Sequence, residues 1–230
     1  MSIAENLERV RAEVAGASLK SGRSPDAVTL IAVSKTWPVE VIEQAVAAGQ
    51  KIFGENKVQE LLAKVPAMAD DMEWHLIGHL QKNKTRKVLP LCSSVHTVDS
   101  VELAQQMNRI AGELELKPSV LVQVNVSGDE AKFGFPAAGV REVWESLLEL
   151  DQLKIEGLMT VPAFNSDPEA VRPDFARLRD IRDSLVEEFG RKLPELSMGM
   201  SHDFVVAIEE GATLVRVGSS IFGKRDYGAG

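Results

Sequence analysis

The sequence predicts a single-domain (β/α)8 barrel, an α/β fold, with one extra helix before the first strand. Short apolar runs rich in β-branched residues alternate with amphipathic helical patterns eight times along the 230 residues. Such runs are typical of parallel strands that are covered on both faces. Eight strand–helix repeats in about 200 residues fit the small end of the barrel size range. A doubly wound open sheet is the alternative, but it often has a glycine-rich turn after its first strand, where this chain has Ser34-Lys35-Thr36.

The predicted strands are short and dominated by Val, Ile and Leu. The segments TLIAV at residues 29–33 and VLVQVNV at residues 120–126 show the pattern most clearly. Their length and β-branched content favour strands over buried helices. We place the eight strands at residues 29–35, 51–55, 74–80, 95–98, 119–126, 154–161, 196–200 and 213–217.

The predicted helices each carry an apolar stripe on one face, as in VREVWESLLEL at residues 140–150. Gly49 ends the second helix, and Asn56 with Gln59 has the spacing of a capping box at the start of the third. The first helix precedes the first strand and is therefore additional to the barrel repeat. We place the helices at residues 3–18, 39–48, 57–65, 83–89, 100–115, 138–150, 174–189 and 202–210.

The composition is that of an ordinary globular protein, with 44% hydrophobic and 26% charged residues. The chain has 26 Lys+Arg and 34 Asp+Glu, which gives a formal net charge of −8. This acidic balance argues against nucleic acid as a partner, because neutralising phosphates requires clustered Lys and Arg. No apolar window approaches the roughly 18 residues of a membrane span. No linker divides the chain, so we expect one domain over residues 1–230.

Cysteine and histidine usage excludes some classes of site. Cys92 is the one cysteine, which excludes an intramolecular disulfide and a cysteine-based zinc cluster and favours a reducing, cytoplasmic setting. His75 and His79 lie four residues apart on a predicted strand and would share a face, but no third ligand is evident. We therefore expect no metal site.

Lys35 is the first candidate for a reactive residue. It ends the first predicted strand, and the alternation of side chains along a strand places it on the same face as Ile31 and Val33. In a barrel, this position would direct its amine into the mouth, where partial desolvation lowers the pKa of a lysine and makes it nucleophilic toward an aldehyde. The alternative is a strand-end lysine that extends into water. The position alone does not decide between the two.

Two segments near the end of the sequence have features of a phosphate site. Ser201 could cap a helix starting at His202, and free N–H groups at a helix start bind phosphate. Gly218 permits a close backbone approach and Ser219 adds a donor, at the last strand. Barrels often bind phosphate after strands seven and eight, where these segments fall. Arg216 lies on an otherwise apolar strand and must be paired or face a ligand. Together with Lys35, this predicts a phosphorylated aldehyde as ligand.

An ordered set of motifs runs nearly end to end through the chain. The motifs are AVSKT (32–36), FGEN-x-VQE (53–60), WHLIGHLQ-x-NK (74–84), GLM (157–159), LSMGMS-x-D (196–203) and VR-x-G-x-x-IFG (215–223). With them the sequence resembles the pyridoxal phosphate homeostasis protein family. The fold of that family is similar to the N-terminal barrel domain of alanine racemase (fold type III), without the second β domain of that enzyme.

The resemblance implies a cofactor site for pyridoxal 5′-phosphate (PLP) and no catalytic or metal-binding residue. Lys35 corresponds to the lysine that forms the internal aldimine with PLP. Ser201, with the backbone of Gly218 and Ser219, corresponds to the phosphate cradle, and Arg216 to the arginine that faces the pyridine nitrogen. The remaining implied contacts are residues that line the cofactor: Asn56 and Met200.

The resemblance also implies a function in vitamin B6 homeostasis: reversible holding of PLP without efficient catalysis. An arginine beside the pyridine nitrogen disfavours its protonation, and an unprotonated ring is a poorer electron sink. Racemases of this fold also use a tyrosine from their second domain, whereas this chain has one tyrosine, Tyr227. A weak amino-acid racemase is the alternative, and a Schiff-base aldolase or a barrel for a phosphorylated sugar is a third reading.

The implied partners are PLP and apo forms of PLP-dependent enzymes, with no nucleic acid and no membrane. The resemblance points to a monomer. Lys132, in a predicted loop after the fifth strand, is a candidate for a secondary aldehyde-capturing amine or a solvated loop lysine. The sequence leaves open which enzymes receive the cofactor and whether transfer requires contact.

Overall fold

The computed structural model describes residues 1–129 and 131–223. Its strands are short, and most lie within the runs predicted from sequence. The strands are β1 (Thr29–Val33), β2 (Ile52–Glu55), β3 (Glu73–Leu76), β4 (Ser94–Val98), β5 (Ser119–Asn125), β6 (Phe135–Pro136), β7 (Lys154–Met159), β8 (Glu195–Met200) and β9 (Leu214–Val217).

Eight of these strands close into a parallel barrel, which confirms the predicted fold class. Hydrogen-bonded neighbours follow the order β4-β3-β2-β1-β9-β8-β7-β5, and a β4–β5 pairing closes the ring. The two-residue β6 pairs with β5 alone. The sequence did not predict β6, because two residues are too few to show a periodic pattern.

Helices connect the strands in the alternation that the sequence predicts. They are α1 (Ile3–Lys20), α2 (Val39–Ala47), α3 (Val58–Lys64), α4 (Thr85–Val88), α5 (Val101–Glu113), α6 (Val140–Leu148), α7 (Arg172–Phe189), α8 (Phe204–Glu209) and α9 (Ser219–Phe222). The predicted extra helix is α1, which starts at a Ser2–Glu5 capping box and packs against α8 and α9. Among the described residues, no helix is long and apolar enough to cross a membrane.

The apolar core has two parts, because each strand has one face toward the helices and one toward the barrel axis. The larger part lies between strands and helices and includes Ala32, Phe53 and Trp144. The smaller part is inside the barrel, where Ile31 packs with other buried residues from neighbouring strands. Ile31 and Ala32 thus lie on opposite faces of β1, as strand alternation requires.

Several strands end earlier than the sequence predicts. The apolar run of β1 continues to Lys35, but the strand ends at Val33; β3 was expected to reach Leu80 and ends at Leu76. At both ends the chain turns into a loop in which apolar side chains remain buried or half-buried, Leu80 and Ile77 among them. Hydrophobicity alone therefore overestimates the strand length at this end of the barrel, where the loops form the site.

Candidate functional site

A cavity of about 640 Å³ lies at the carboxyl ends of the barrel strands. Every residue that the sequence analysis assigned to a cofactor site lines it. These residues are Lys35, Asn56, Met200, Ser201, Arg216, Gly218 and Ser219. Apolar side chains, among them Ile77, Val161 and Phe164, complete the lining. The cavity is large enough for a small phosphorylated ring compound, and its individual contacts with a ligand stay predictions.

Lys35 follows β1 by two residues and is half-buried. Its predicted place at the strand end is wrong, because β1 stops at Val33 and the next residues form a turn. The Ser34 N–H donates to the Gly54 carbonyl at 3.2 Å, and the Trp37 N–H donates to the Ser34 carbonyl at 3.1 Å. The prediction that Lys35 shares a face with Ile31 and Val33 is consistent with the structure, since Val33 lines the same cavity and Ile31 lies inside the barrel.

Ser201 does not cap a helix, which corrects the sequence prediction. The helix α8 starts at Phe204 rather than His202, and Asp203 is its N-cap residue. The Asp203 carboxylate accepts a hydrogen bond from the Met200 N–H at 2.6 Å, which forms a tight turn after β8. The Ser201 Oγ atom instead accepts hydrogen bonds from the Gly218 N–H at 3.1 Å and the Ser220 N–H at 3.4 Å. Ser201 therefore joins the loop after β8 to the loop after β9.

The loop after β9 packs closely on the end of β1. A Cβ atom at Gly218 would lie 3.2 Å from the Val33 carbonyl oxygen, so a larger residue would push the loop away from β1. Ser219 begins the four-residue helix α9 next to it. The Ser201 Oγ already accepts from the Gly218 and Ser220 N–H groups, so its own hydrogen is available to donate into the cavity near Lys35. Such a donor suits an anion.

Arg216 lies on β9 and is only 4% exposed. Its Nη1 donates to the Ser197 Oγ at 2.5 Å, and its Nη2 donates to the Thr160 carbonyl at 2.8 Å. Burial lowers the pKa of Arg216 to about 10, while the nearby Asp203 acts in the opposite direction, so the guanidinium is charged at neutral pH. Both described hydrogen bonds run to neutral acceptors. The cavity therefore contains a buried positive charge that an anionic ligand would stabilise.

Two buried histidines extend the hydrogen bonds of Arg216 across the barrel interior. The His96 Nδ1 lies 2.9 Å from the Ser197 Oγ, and the His96 Nε2 lies 2.9 Å from the His75 Nδ1. A guanidinium can only donate, so Ser197 accepts from Arg216 and its own hydrogen is available for the His96 Nδ1. His96 then donates from its Nε2 to His75. Both imidazoles are neutral in this arrangement.

This chain of side chains was not predicted from the sequence. His75 and His79 were expected to share one strand face, but β3 ends at Leu76 and the two rings have different partners. His79 lies beyond the strand, with its Nδ1 2.8 Å from the Asp99 Oδ2 and its ring stacked on Phe133. No group of three or more metal-ligating side chains of His, Cys, Asp and Glu occurs within residues 1–129 and 131–223. The alternation of β3 places His75 on the face opposite Trp74, a signal that could have indicated the barrel interior.

Acid is expected to destabilise the folded protein through the buried histidines. Burial lowers the pKa of His75 from 6.5 to about 4, so the unfolded chain takes up this proton first as the pH falls. The contribution of neutral His75 to the free energy of unfolding is complete above about pH 6.5 and is lost as the pH falls toward 4. The loss amounts to roughly 3 kcal/mol. Denaturant unfolding at several pH values measures the loss. The matched variant His75→Asn should lose less stability on acidification than the wild type, and equal losses would contradict the assignment.

Asn56 has a buried oxygen that lacks a partner among the described residues. Its Oδ1 has no hydrogen-bond partner there, although the residue lines the cavity. The predicted capping box with Gln59 is wrong, because α3 starts at Val58 after Lys57 and has no side-chain cap. Gly78 packs on the Asn56 backbone so closely that a Cβ atom would lie 2.1 Å from its carbonyl oxygen. The backbone of Asn56 is therefore held, and its amide oxygen can accept from a ligand donor.

Gly199, near the end of β8, fixes the loop that carries Ser201. Its φ is 92°, and an added Cβ atom would lie 2.6 Å from the Ala207 Cβ. We expect Gly199→Ala to destabilise the protein by about 1–3 kcal/mol beyond the backbone strain. Gly190→Ala is the control, because Gly190 has a φ of 65° but no atom within 4 Å of an added Cβ. Denaturant unfolding should separate the two variants, and equal losses would contradict a packing role for Gly199.

The comparisons with known proteins agree with this geometry. The family model for the alanine racemase N-terminal domain matches residues 2–226. A pyridoxal phosphate homeostasis protein from Aquifex aeolicus is 44% identical over 99% of this chain and 100% of its own length. The chain belongs to the pyridoxal phosphate homeostasis protein family.

Solved structures extend the comparison to the cofactor and to the fold. The family member PipY from Synechococcus elongatus, solved with PLP bound, is 41% identical, with a TM-score of 0.85 over 96% of this chain and 100% of PipY. An alanine racemase from Clostridium difficile is 18% identical, with a TM-score of 0.77 over 99% of this chain and 58% of that enzyme. The racemase likeness shows the shared barrel fold alone.

Proposed function

We propose that this family member binds PLP in the cavity, holds it reversibly on Lys35 and takes part in intracellular PLP homeostasis without efficient catalysis of its own. The observation that carries the proposal is the convergence of Lys35, Arg216 and the Ser201–Gly218 hydrogen bond on one cavity. Membership of the family and the PLP-bound structure of PipY support the choice of ligand.

The side chains of the cavity fit the chemical groups of PLP. The buried guanidinium of Arg216 and the Ser201 hydroxyl, which is held by the Gly218 N–H, suit a ligand with anionic character. The Asn56 Oδ1, which lacks a described partner, suits a ligand hydroxyl or water. Apolar side chains such as Ile77 can contact a flat ring. No described contact of the cavity conflicts with this ligand.

In this proposal each residue has one task. When bound, PLP supplies an aldehyde whose carbon can form a reversible C=N bond to a lysine amine with loss of water. Lys35 provides the amine. Ser201 with the backbone of Gly218 and Ser219 forms the phosphate cradle, in which the Gly218 N–H holds the Ser201 hydroxyl and the hydroxyl hydrogen can donate to the phosphate. Arg216 faces the pyridine nitrogen. The residues that complete the proposed site by lining it are Asn56 and Met200.

The charge of Arg216 is the reason for expecting little catalysis. With a pKa of about 10, its guanidinium stays protonated at neutral pH and disfavours a second positive charge on a neighbouring ring nitrogen. The ring is then a weak electron sink for carbanion chemistry. Weak racemase activity is the competing function. Tyr227, the one tyrosine considered for it, lies outside the described residues.

The proposed biological context follows from the same features. We propose that residues 1–230 act as one binding domain, as a monomer in the cytoplasm, and that apo PLP-dependent enzymes accept the cofactor. The single buried Cys92 supports a reducing compartment. Lys132 donates to the Val161 carbonyl at 3.3 Å, so it lies near one wall of the cavity. We propose Lys132 as a second, transient attachment point for the aldehyde.

Binding of three related ligands tests the proposed function. The purified protein is incubated with PLP, with pyridoxal, which lacks the phosphate, or with pyridoxine phosphate, which lacks the aldehyde. We expect PLP to remain with a visible absorbance band after desalting, and the other two to bind more weakly, because each loses one set of contacts. Sustained formation of D-alanine from L-alanine by the loaded protein at about 1 s⁻¹ would favour the racemase instead. Equal retention of pyridoxal and PLP would contradict the phosphate cradle.

A further inference from the structure

A cluster of charged side chains lies beside the turn that carries Lys35. The Lys64 Nζ donates to the Glu55 Oε1 at 2.7 Å and to the Glu60 Oε2 at 2.8 Å. The Lys64 side chain is 9% exposed, Glu55 is 0% exposed and Glu60 is 20% exposed. Burying such charges costs several kcal/mol per ion before pairing offsets it, so a cluster of this kind is weak evidence for stability. We call these three residues the Lys64 cluster.

The Lys64 cluster binds the chain on both sides of Lys35. On the preceding residue, the Ser34 carbonyl accepts from the Lys64 Nζ at 2.9 Å, and the Ser34 Oγ donates to the Glu55 Oε1 at 2.7 Å. On the following residue, the Thr36 N–H donates to the Glu60 Oε2 at 2.5 Å. The residues before and after Lys35 are thus each bonded to a charged side chain.

The backbone at Thr36 is strained. Its φ is 68°, in the left-handed region, which is rare for a β-branched residue and costs about 1–2 kcal/mol. The hydrogen bond from its N–H to Glu60 stabilises this conformation. Burial acts to raise the pKa of Glu60, but the hydrogen bonds from Lys64 and Thr36 outweigh it and lower the pKa, so Glu60 is charged at neutral pH. The strain is therefore maintained by a charge-assisted hydrogen bond.

The motif FGEN-x-VQE gains a physical explanation from these contacts. Glu55 ends β2, and the helix α3 places Glu60 and Lys64 four residues apart, so that both reach the turn after β1. None of the three is among the described residues that line the cavity. Their described side-chain hydrogen bonds outside the cluster run to Ser34 and Thr36, the neighbours of Lys35.

We propose that the Lys64 cluster positions Lys35 by holding Ser34 and Thr36, so that the Lys35 side chain leaves the turn toward the cavity. This inference rests on the proposed function and deepens it. The three residues are positioning residues, since none of them lines the cavity and their hydrogen bonds hold Ser34 and Thr36. Attachment of an aldehyde should depend on them, whereas binding through the phosphate should not.

Glu60 offers the cleanest test, because it is partly exposed and its removal leaves Lys64 paired with Glu55. Glu60→Ala removes the acceptor for the Thr36 N–H, while Glu60→Gln keeps an acceptor oxygen. We expect Glu60→Ala to slow the appearance of the PLP absorbance band by about tenfold or more, since small misplacements of a reacting group have such effects. The affinity for pyridoxine phosphate, which cannot attach, should stay within about twofold. Glu60→Gln should restore most of the rate.

A second variant tests the Lys64–Glu55 pair without leaving Glu55 as an unpaired buried charge, while the partly exposed Glu60 keeps the Thr36 N–H. Lys64→Met combined with Glu55→Gln removes the ammonium and neutralises its partner, and it should slow attachment by a similar factor. Lys51→Met is the matched control, because it removes the exposed Lys51–Asp71 ion pair. Wild-type attachment rates in folded Glu60→Ala protein would overturn the inference, as would an equal loss of pyridoxine phosphate affinity. Failure of the wild type to attach PLP would instead overturn the proposed function.

Discussion

Lys35→Ala is expected to abolish the visible absorbance band that PLP develops on this protein. The substitution removes the one amine that we assign to covalent attachment, while the donors near Ser201 and Gly218 stay in place. Non-covalent binding through the phosphate should persist, so pyridoxine phosphate should bind the variant and the wild type with affinities within about twofold. Spectroscopic titration with PLP and competition with pyridoxine phosphate measure the two effects separately.

The controls for Lys35→Ala use other lysines of the chain. Lys132→Ala keeps Lys35 and should keep the band, because the described contact of Lys132 is with the Val161 carbonyl in a loop. Denaturant unfolding of Lys35→Ala shows whether the variant is folded under the conditions in which the band is measured. An unchanged band in Lys35→Ala would show that another amine holds the aldehyde.

Arg216→Glu is expected to turn a holding site into a more reactive one. A carboxylate in place of the guanidinium should raise the pKa of a neighbouring pyridine nitrogen by about 1–3 units, because opposite charges favour the protonated form. The protonated ring stabilises a carbanion better, so side reactions of the bound cofactor with L-alanine should accelerate by about tenfold or more. Chiral analysis of alanine and the pH dependence of the absorbance spectrum measure this change.

Arg216→Lys and Arg216→Gln separate charge from shape in this prediction. Arg216→Lys keeps a positive charge and should leave the rate of side reactions low, even though it loses one of the hydrogen bonds to Ser197 and Thr160. Arg216→Gln is neutral and should give an intermediate rate, and it avoids placing a carboxylate against the Thr160 carbonyl. If all three variants retain the wild-type spectrum and reactivity, Arg216 does not face the ring nitrogen.

The fold was largely predictable from the sequence, because the signals that determine it are local. Each strand run is short, apolar and β-branched, and the side-chain parity of Ile31 and Val33 indicated which face of β1 points into the barrel. The ends of β2, β4, β8 and β9 match the prediction, whereas β1 and β3 end early. The early end of β1 was not predictable, because it depends on contacts between distant segments, such as the Ser34–Gly54 bond.

The residues of the site were predictable from their positions at strand ends, and the family motifs then implied their roles. Strand position singled out Lys35 and Arg216, and the structure brings both to one cavity. The contacts behind them were invisible in the sequence, because His96 and Ser197 are about a hundred residues apart and meet only when the barrel closes. The prediction that Ser201 caps a helix was wrong for a related reason. The oxygen of Ser201 bonds to N–H groups of another loop rather than to its own helix, and tertiary contacts overrode the local preference.

Mapping the covalent attachment tests the central claim most directly. The wild-type protein is loaded with PLP, reduced with borohydride, digested and analysed by peptide mass spectrometry. We predict a phosphopyridoxyl group on the peptide that contains Lys35, with at most minor labelling of Lys132. Labelling spread over surface lysines, with Lys35 unmodified, would contradict the account.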